Sequence, residues 1–329
     1  MISFIVIGKN EGRKLSLCLE SIKKAVEYSR IDPYEVIYVD SRSGDGSAEL
    51  ASSFENTRVF RITGECNAAI ARNIGALEAS GNELFFLDGD MELIPSFPGE
   101  VLNEKQELKY DCVTGHLDDL IYDTEGSFLE RRPVTYRGTL PDRPVITSAT
   151  GGFFAVRKKH WDEVKGMRTK YKRSQDLDLI IRLRKKGIRT TRIPHLMVLH
   201  HTIDYRNESR MWELLFSGKM NYFSLFFRDH LLNREVVLHT LRNYYTAFLL
   251  LPLPFTLFAG NYIFMVWLFV YLAALMARVV INARNTVRKN RTVYFIQRLL
   301  YQFLRDLVFW GAFLFFHPRG KEISYERVE

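Results

Sequence analysis

Glu83-Leu84-Phe85-Phe86-Leu87-Asp88-Gly89-Asp90 delivers two carboxylates, one residue apart, to the end of an apolar run. On a strand, side chains two apart point to one side, and a glycine between them lets backbone or ligand come close. Paired carboxylates repel unless a cation or a set of donors neutralises them. Hard oxygen ligands at this density suit Mg²⁺ or Mn²⁺, which bridge protein carboxylates to substrate phosphates. Alone, the triplet also describes a solvated turn after a buried strand. Further acids and histidines bear on the choice: Asp40 closes a second apolar run, Asp176 opens a helical one, and His200-His201 close a late strand-like segment.

The elements that must position these groups alternate. Ile2–Ile7 reads as a strand, and 11–28 as a helix with Leu15, Leu19 and Ile22 on one face. Glu35–Val39 is a second strand, followed by the turn-rich Ser41-Arg42-Ser43-Gly44-Asp45-Gly46-Ser47 and a helix near 48–54. A short strand at 58–62, a helix at 68–79 and the strand ending in Asp88 complete the series. Strand-like pieces at 113–116 and 153–156 bracket a polar loop, and a helix from about Gln175 closes at Gly187. Such alternation predicts a mostly parallel sheet covered by helices, with ligands at the carboxyl ends of its strands. Asp40 and Asp88 both fall at such ends.

Composition divides the 329-residue chain. Residues 206–243 mix Trp212, Phe216, Phe223 and Phe227 with Lys219, Arg228 and Arg234, the pattern of interfacial helices. Residues 244–281 are almost continuously apolar, with Gly260-Asn261 near the middle, and suit an out-and-back hairpin. A basic loop at 282–298 and a third apolar helix at 299–316, interrupted by Arg305-Asp306, follow within a membrane region expected over 244–329. The net charge is +8, and Arg278, Arg284, Arg288, Lys289, Arg291 and Arg298 contribute to it without an acid among them. Cations flanking an apolar stretch suit the cytoplasmic face of a cell membrane, not nucleic acid. Three scattered cysteines indicate neither a disulfide framework nor a zinc site. Met1 leads directly into a strand, so the first 205 residues are expected in the cytosol.

Seven pieces in order carry a resemblance: Phe4–Glu11 with Cys18–Ile22; Val39–Ser47; Asn67–Gly75; Phe86–Asp90; Gly151-Gly152 with Arg157; Gln175–Leu179; and His200-His201. Together they resemble the family 2 glycosyltransferases, whose catalytic domain has the GT-A fold, over about Ser3 to Thr202. The resemblance implies an α/β, Rossmann-like nucleotide-sugar-binding domain over 1–205. Glu11, Asp40, Arg72 and Asp88 would bind the donor, with Arg72 on its pyrophosphate. Asp90 would bind Mn²⁺ or Mg²⁺, with His200, or alternatively His201, completing the metal shell. Gly151 and Gly152 would lie on the acceptor side.

The resemblance also makes Asp176 the catalytic base that takes a proton from an acceptor hydroxyl, with Gln175 standing where the family usually has Glu. A single displacement would invert the anomeric centre. The Gln-x-x-Arg-Trp signature of processive synthases is missing, so one sugar per binding event is expected. The implied activity is transfer from a nucleotide sugar, UDP being the commonest donor, to a hydroxyl of a lipid-linked glycan at the membrane. Two alternatives remain: a polyprenyl-phosphate glycosyltransferase, whose anionic acceptor needs no base, and a membrane scaffold that binds nucleotide sugar without turnover.

Overall fold

The computed structural model describes residues 1–123, 125–134, 140–203, 208–283 and 291–328. The chain forms two compact units, Met1–Tyr205 with Arg319–Glu329, and Arg206–Pro318.

In the first unit, strands β1 (Ile2–Gly8), β2 (Tyr34–Asp40), β3 (Thr57–Ile62) and β4 (Glu83–Asp88) alternate with helices α1 (Arg13–Ser29), α2 (Ser47–Ser52) and α3 (Ala68–Glu78). They continue into β5 (Met91–Leu93), α4 (Phe97–Val101), β6 (Cys112–Tyr122), β7 (Phe128–Pro133), β8 (Val145–Ile146) and β9 (Phe154–Arg157). Next come α5 (Lys158–Glu163), α6 (Gln175–Lys185) and β10 (Thr190–Ile203), and β11 (Tyr325–Val328) returns from the far end of the chain. The main path through one mixed sheet is β11-β3-β2-β1-β4-β9-β6-β10-β5, with β7 on β6 and β8 on β10.

Strands β3, β2, β1 and β4 are parallel, as are β6 and β10; the joining strand β9 is antiparallel to both β4 and β6. Both faces of β1 are buried, as expected of a strand sandwiched by helices. Ile2, Phe4 and Val6 pack with Leu15, Leu19 and Ile22 of α1, while Ile5 and Ile7 pack with Ile70 and Ile74 of α3. Gly75 permits that second packing: a Cβ there would stand 2.2 Å from Ile5 Cγ2.

Within the first unit, two features depart from the expected layout. Strand β6 runs on to Tyr122, well past His116, where the sequence pattern stopped. Its charged positions have partners: Asp118 bonds Arg131 of β7 at 2.7 Å, and Asp119 bonds His200 of β10 at 2.8 Å. Residues 319–328, grouped by composition with the membrane region, instead belong to the first unit, where β11 extends the sheet with Tyr325↔Ile62 to Val328↔Val59 in antiparallel register.

The second unit is helical: α7 (Glu208–Phe216), α8 (Asn221–Asp229), α9 (Arg234–Leu250), α10 (Leu253–Thr256), α11 (Asn261–Ala283) and α12 (Arg291–Phe315). The boundary expected at Tyr244 falls inside α9, where Tyr244 is non-helical (φ −130°, ψ 25°) and kinks the helix. Among the described residues, one helix is long and apolar enough to cross a membrane, over Asn261–Ile281. The expected first arm is divided between α9 and the short α10, so a hairpin of two full spans is absent from the described residues. Residues 284–290 of the expected basic loop lie outside the described residues.

Candidate active site

Parallel registration sets the site. Gly8 stands beside Asp40 and Ile7 beside Asp88, so β2, β1 and β4 end in a row at one edge of the sheet. The loops after β1 and β2 hold each other. Asn10 N–H donates to Ser43 Oγ (2.9 Å), and Gly44 N–H donates to Asn10 Oδ1 (2.9 Å). Asp40 is fully buried and accepts from Ser43 N–H (3.0 Å), Arg61 Nε (3.2 Å) and Tyr38 O–H (3.4 Å). Its carboxylate therefore shapes the loop at the end of β2.

Glu11 lies across the strand ends. Its Cγ is 3.0 Å from where a Gly8 Cβ would stand and 3.2 Å from a Gly89 Cβ. Glycine at both positions leaves room for it. Burial, reinforced by Asp90, lifts its carboxyl from 4.5 to about 7.

The two aspartates of the triplet part company. Strand β4 ends at Asp88, Gly89 N–H bonds Ile7 O (2.8 Å), and the chain turns into β5. Strand parity had placed both carboxylates on one side; the turn instead gives each its own partner. Asp88 takes a 2.5 Å bond from Arg72 Nη2, and the same nitrogen donates to Gly152 O at 3.1 Å. Burial raises Asp88 from 3.8 to about 6 despite the guanidinium beside it, with Asp90 adding to the rise. Arg72 is only 2% exposed. The side chain expected on a pyrophosphate is thus engaged in bracing Asp88 against the Gly152 backbone.

Asp90 meets β10. Antiparallel pairing of β5 with β10 places His200 opposite Met91, and His201 N–H donates to Asp90 O at 2.9 Å. His200 Nε2 lies 3.3 Å from Asp90 Oδ2, and its Nδ1 lies 2.8 Å from Asp119 Oδ1. Burial would lower this imidazole, but the two carboxylates outweigh it and raise His200 from 6.5 to about 9. His201 points the other way, as alternation requires. Its Nε2 is 2.5 Å from Glu92 Oε1, its Nδ1 is 2.9 Å from the Tyr122 hydroxyl, and its ring stacks on Tyr122.

Asp119 was not singled out from the sequence. The available signal was the Asp118-Asp119 pair inside the apolar run Cys112–Tyr122. Among the described residues, no three His, Cys, Asp or Glu side chains form a ready-made metal cage. Asp90 and His200 supply a carboxylate and an imidazole facing each other, which fits a divalent ion completed by water and substrate phosphates.

Asp176 sits in the first turn of α6, where Gly151 N–H donates to its Oδ2 at 3.3 Å. Asp178, two residues on, is fully buried between Arg168 (3.3 Å) and Arg182 (2.8 Å), and anchors the helix. Gly151 and Gly152 thus touch the two carboxyl groups from adjacent positions: Gly151 bonds Asp176, and Gly152 crosses the Arg72–Asp88 pair.

Residues 3–165 match the model of the family described as Glycosyl transferase family 2. The chain is 26% identical over 186 residues to an uncharacterized glycosyltransferase of Haemophilus influenzae, covering 56% of this chain and 62% of that protein. It is 33% identical over 93 residues to glycosyltransferase AglE of Haloferax volcanii, 27% of this chain and 30% of that one. The chain therefore spans between about a third and three fifths of the length of these two relatives. Among solved structures, GalNAc-T7 with UDP, GalNAc and Mn²⁺ overlays with a TM-score of 0.49 at 19% identity, over 63% of this chain and 44% of that one. Residues 3–165, which span most of the first unit and its mixed sheet, are therefore a glycosyl transferase family 2 domain.

Proposed function

We propose that the chain is an inverting, metal-dependent glycosyltransferase that moves a sugar from a nucleoside diphosphate sugar, with UDP as the favoured nucleotide, to a hydroxyl of a lipid-linked glycan. One observation carries the reading. Glu11, Asp88, Asp90 and His200 gather where the strands end, and the Gly151-Gly152 backbone links Asp176 to the Arg72–Asp88 pair.

Glu11 accepts hydrogen bonds from the nucleoside, and Asp40 keeps the loop around it in place. Arg72 fixes Asp88, which faces the donor's ribose side. Asp90 and His200 would hold Mn²⁺ or Mg²⁺, which supplies charge stabilisation to a departing diphosphate when bound. His200 would give up its proton to serve as a ligand. Asp176 Oδ2 takes the proton from the acceptor hydroxyl as its oxygen bonds the anomeric carbon; the bond to the diphosphate breaks on the opposite face, inverting the centre. The apolar span Asn261–Ile281 supports anchorage at a cell membrane, with the first unit in the cytosol and the acceptor presented from lipid.

Nucleotide release from a panel of nucleotide sugars, with Mn²⁺ and a lipid-linked hydroxyl acceptor, tests the assignment. Asp176→Asn should lower turnover by roughly 10²–10⁴-fold while nucleotide affinity holds. Wild-type turnover in that variant refutes the base. Transfer to bare polyprenyl phosphate that survives Asp176→Asn would transfer the assignment to that acceptor class.

A further inference from the structure

The helical unit contains a cluster of cations with too little negative charge. The kink at Tyr244 leaves the Asn243 carbonyl as a hub for two guanidiniums: Arg278 Nη2 donates to it from α11, and Arg305 Nη2 donates at 3.0 Å from α12. Arg278 also donates to Thr246 Oγ1 (3.0 Å) and lies over the Tyr245 ring at 5.3 Å, while Arg305 lies over Tyr244 at 4.4 Å. Among the described residues, the carboxylate that reaches this pair is Asp306, 3.9 Å from Arg305 Nη2 and fully buried. Asp306 is also engaged by Gln302 Nε2 (3.1 Å) and the Tyr271 hydroxyl (3.5 Å). Among the described residues, Arg305 Nε is buried without a hydrogen-bond partner. Two like charges meeting on one carbonyl oxygen repel, and an uncompensated charge among apolar helices is costly.

Depth indicates which kind of anion would suit this pair. Arg278 lies three residues before the end of the apolar span Asn261–Ile281, the level at which arginine and tyrosine meet lipid head groups. Guanidinium forks match phosphate oxygens in charge and geometry. We infer that Arg278 and Arg305 form a binding site for the phosphate group of a membrane lipid. This site rests on the membrane placement proposed above and adds a recognition element for a phosphate-bearing lipid, separate from the donor site.

The test compares two lipids that differ only in the phosphate. The full chain in neutral detergent is mixed with phosphatidic acid or with diacylglycerol of the same acyl chains, and retained lipid is counted by native mass spectrometry. In parallel, the chain is floated with phosphatidylcholine vesicles. Wild type should prefer phosphatidic acid by about tenfold or more, and Arg278→Gln with Arg305→Gln should abolish the preference. Asp306→Asn removes the competing anion and should strengthen retention, a gain that misfolding cannot imitate. Displacement of phosphatidic acid by equimolar inorganic phosphate would assign the site to a soluble anion and overturn the lipid. Equal retention of the two lipids by a chain that still floats refutes this site alone. A wild-type chain that fails to float refutes the membrane placement, and this site with it.

Discussion

Replacing Gly152 by alanine probes whether Arg72, Asp88 and the backbone crossing them act as one rigid unit. Gly152 has φ +91°, and a Cβ there would lie 2.7 Å from Arg72 Nη2 and 3.1 Å from Asp88 Oδ2. The backbone conformation alone costs an L-residue about 1–2 kcal/mol. Arg72 is too enclosed to swing away, so its guanidinium must retreat by about 0.7 Å to reach ordinary contact. That motion pulls on its bonds to Asp88 and to Gly152 O, and charge-assisted bonds of this kind contribute about 1.5–3 kcal/mol. The Asp88 side chain is 33% exposed, so water replaces part of the loss. The expected destabilisation is about 3–4 kcal/mol, or a fall in Tm of about 6–16 °C. Gly187→Ala is the control: φ is +81° and, among the described residues, nothing lies within 4 Å of the new Cβ. It should lose only the backbone part, about 1–2 kcal/mol. Calorimetry on both variants, with UDP titrations in Mn²⁺, separates the two contributions. Matching Tm and UDP affinity in the two variants would sink the idea of a rigid Arg72–Asp88 brace.

Three further outcomes follow from other parts of the site. Without divalent ions, Glu11 binds its proton more tightly folded than unfolded, so its contribution to stability falls as pH rises from 4.5 through about 7 and levels off above. A rise from 4.5 to about 7 corresponds to about 3.4 kcal/mol, which solvent at this half-buried carboxyl screens to about 2–3 kcal/mol; pH-dependent unfolding of Glu11→Gln should lack it, and an unchanged pH slope would contradict the half-buried position of Glu11. His200→Asn should weaken Mn²⁺-dependent turnover by roughly 10²-fold or more, whereas His201→Asn, which breaks the contacts with Glu92 and Tyr122, should show chiefly as lost thermal stability. The reverse pattern in kinetics and melting would exchange their roles. Ending the chain at Pro318 removes β11 and the bonds of Lys321 with Thr169 and Glu65 and of Ser324 with Thr63. Those bonds fasten the loops that precede α3 and α6, so donor KM should rise together with a lower Tm; unchanged values would make the tail dispensable.

Much of the first half of the sheet was legible because its strands are short, apolar on both faces and separated by turn-forming residues. Local pattern suffices for β1 to β4, and the acid at a strand end is visible as a break in an apolar run. The second half was less legible because its charged positions are satisfied by distant partners. Asp118 and Asp119 read as a strand stop until Arg131 and His200 are set against them. The return of residues 319–328 to β3 is a pairing across some 260 positions, for which local periodicity carries no signal.

The triplet at Asp88–Asp90 shows why motif chemistry and strand geometry need separate treatment. Parity along a strand predicts two carboxylates on one face and hence one shared ion. The strand stops at the first carboxylate, and the glycine turn sends the second toward β10. The two remain close enough to perturb each other, for Asp90 contributes to the rise at Asp88. Their neutralising partners are nevertheless different: a guanidinium held by α3 and the Gly152 backbone, and an imidazole shared with Asp119. An ion recruited to Asp90 and His200 therefore need not displace Arg72. It would lower the electrostatic cost of ionising Asp88 and Glu11 together, and so couple metal binding to readiness for the nucleotide without moving the backbone.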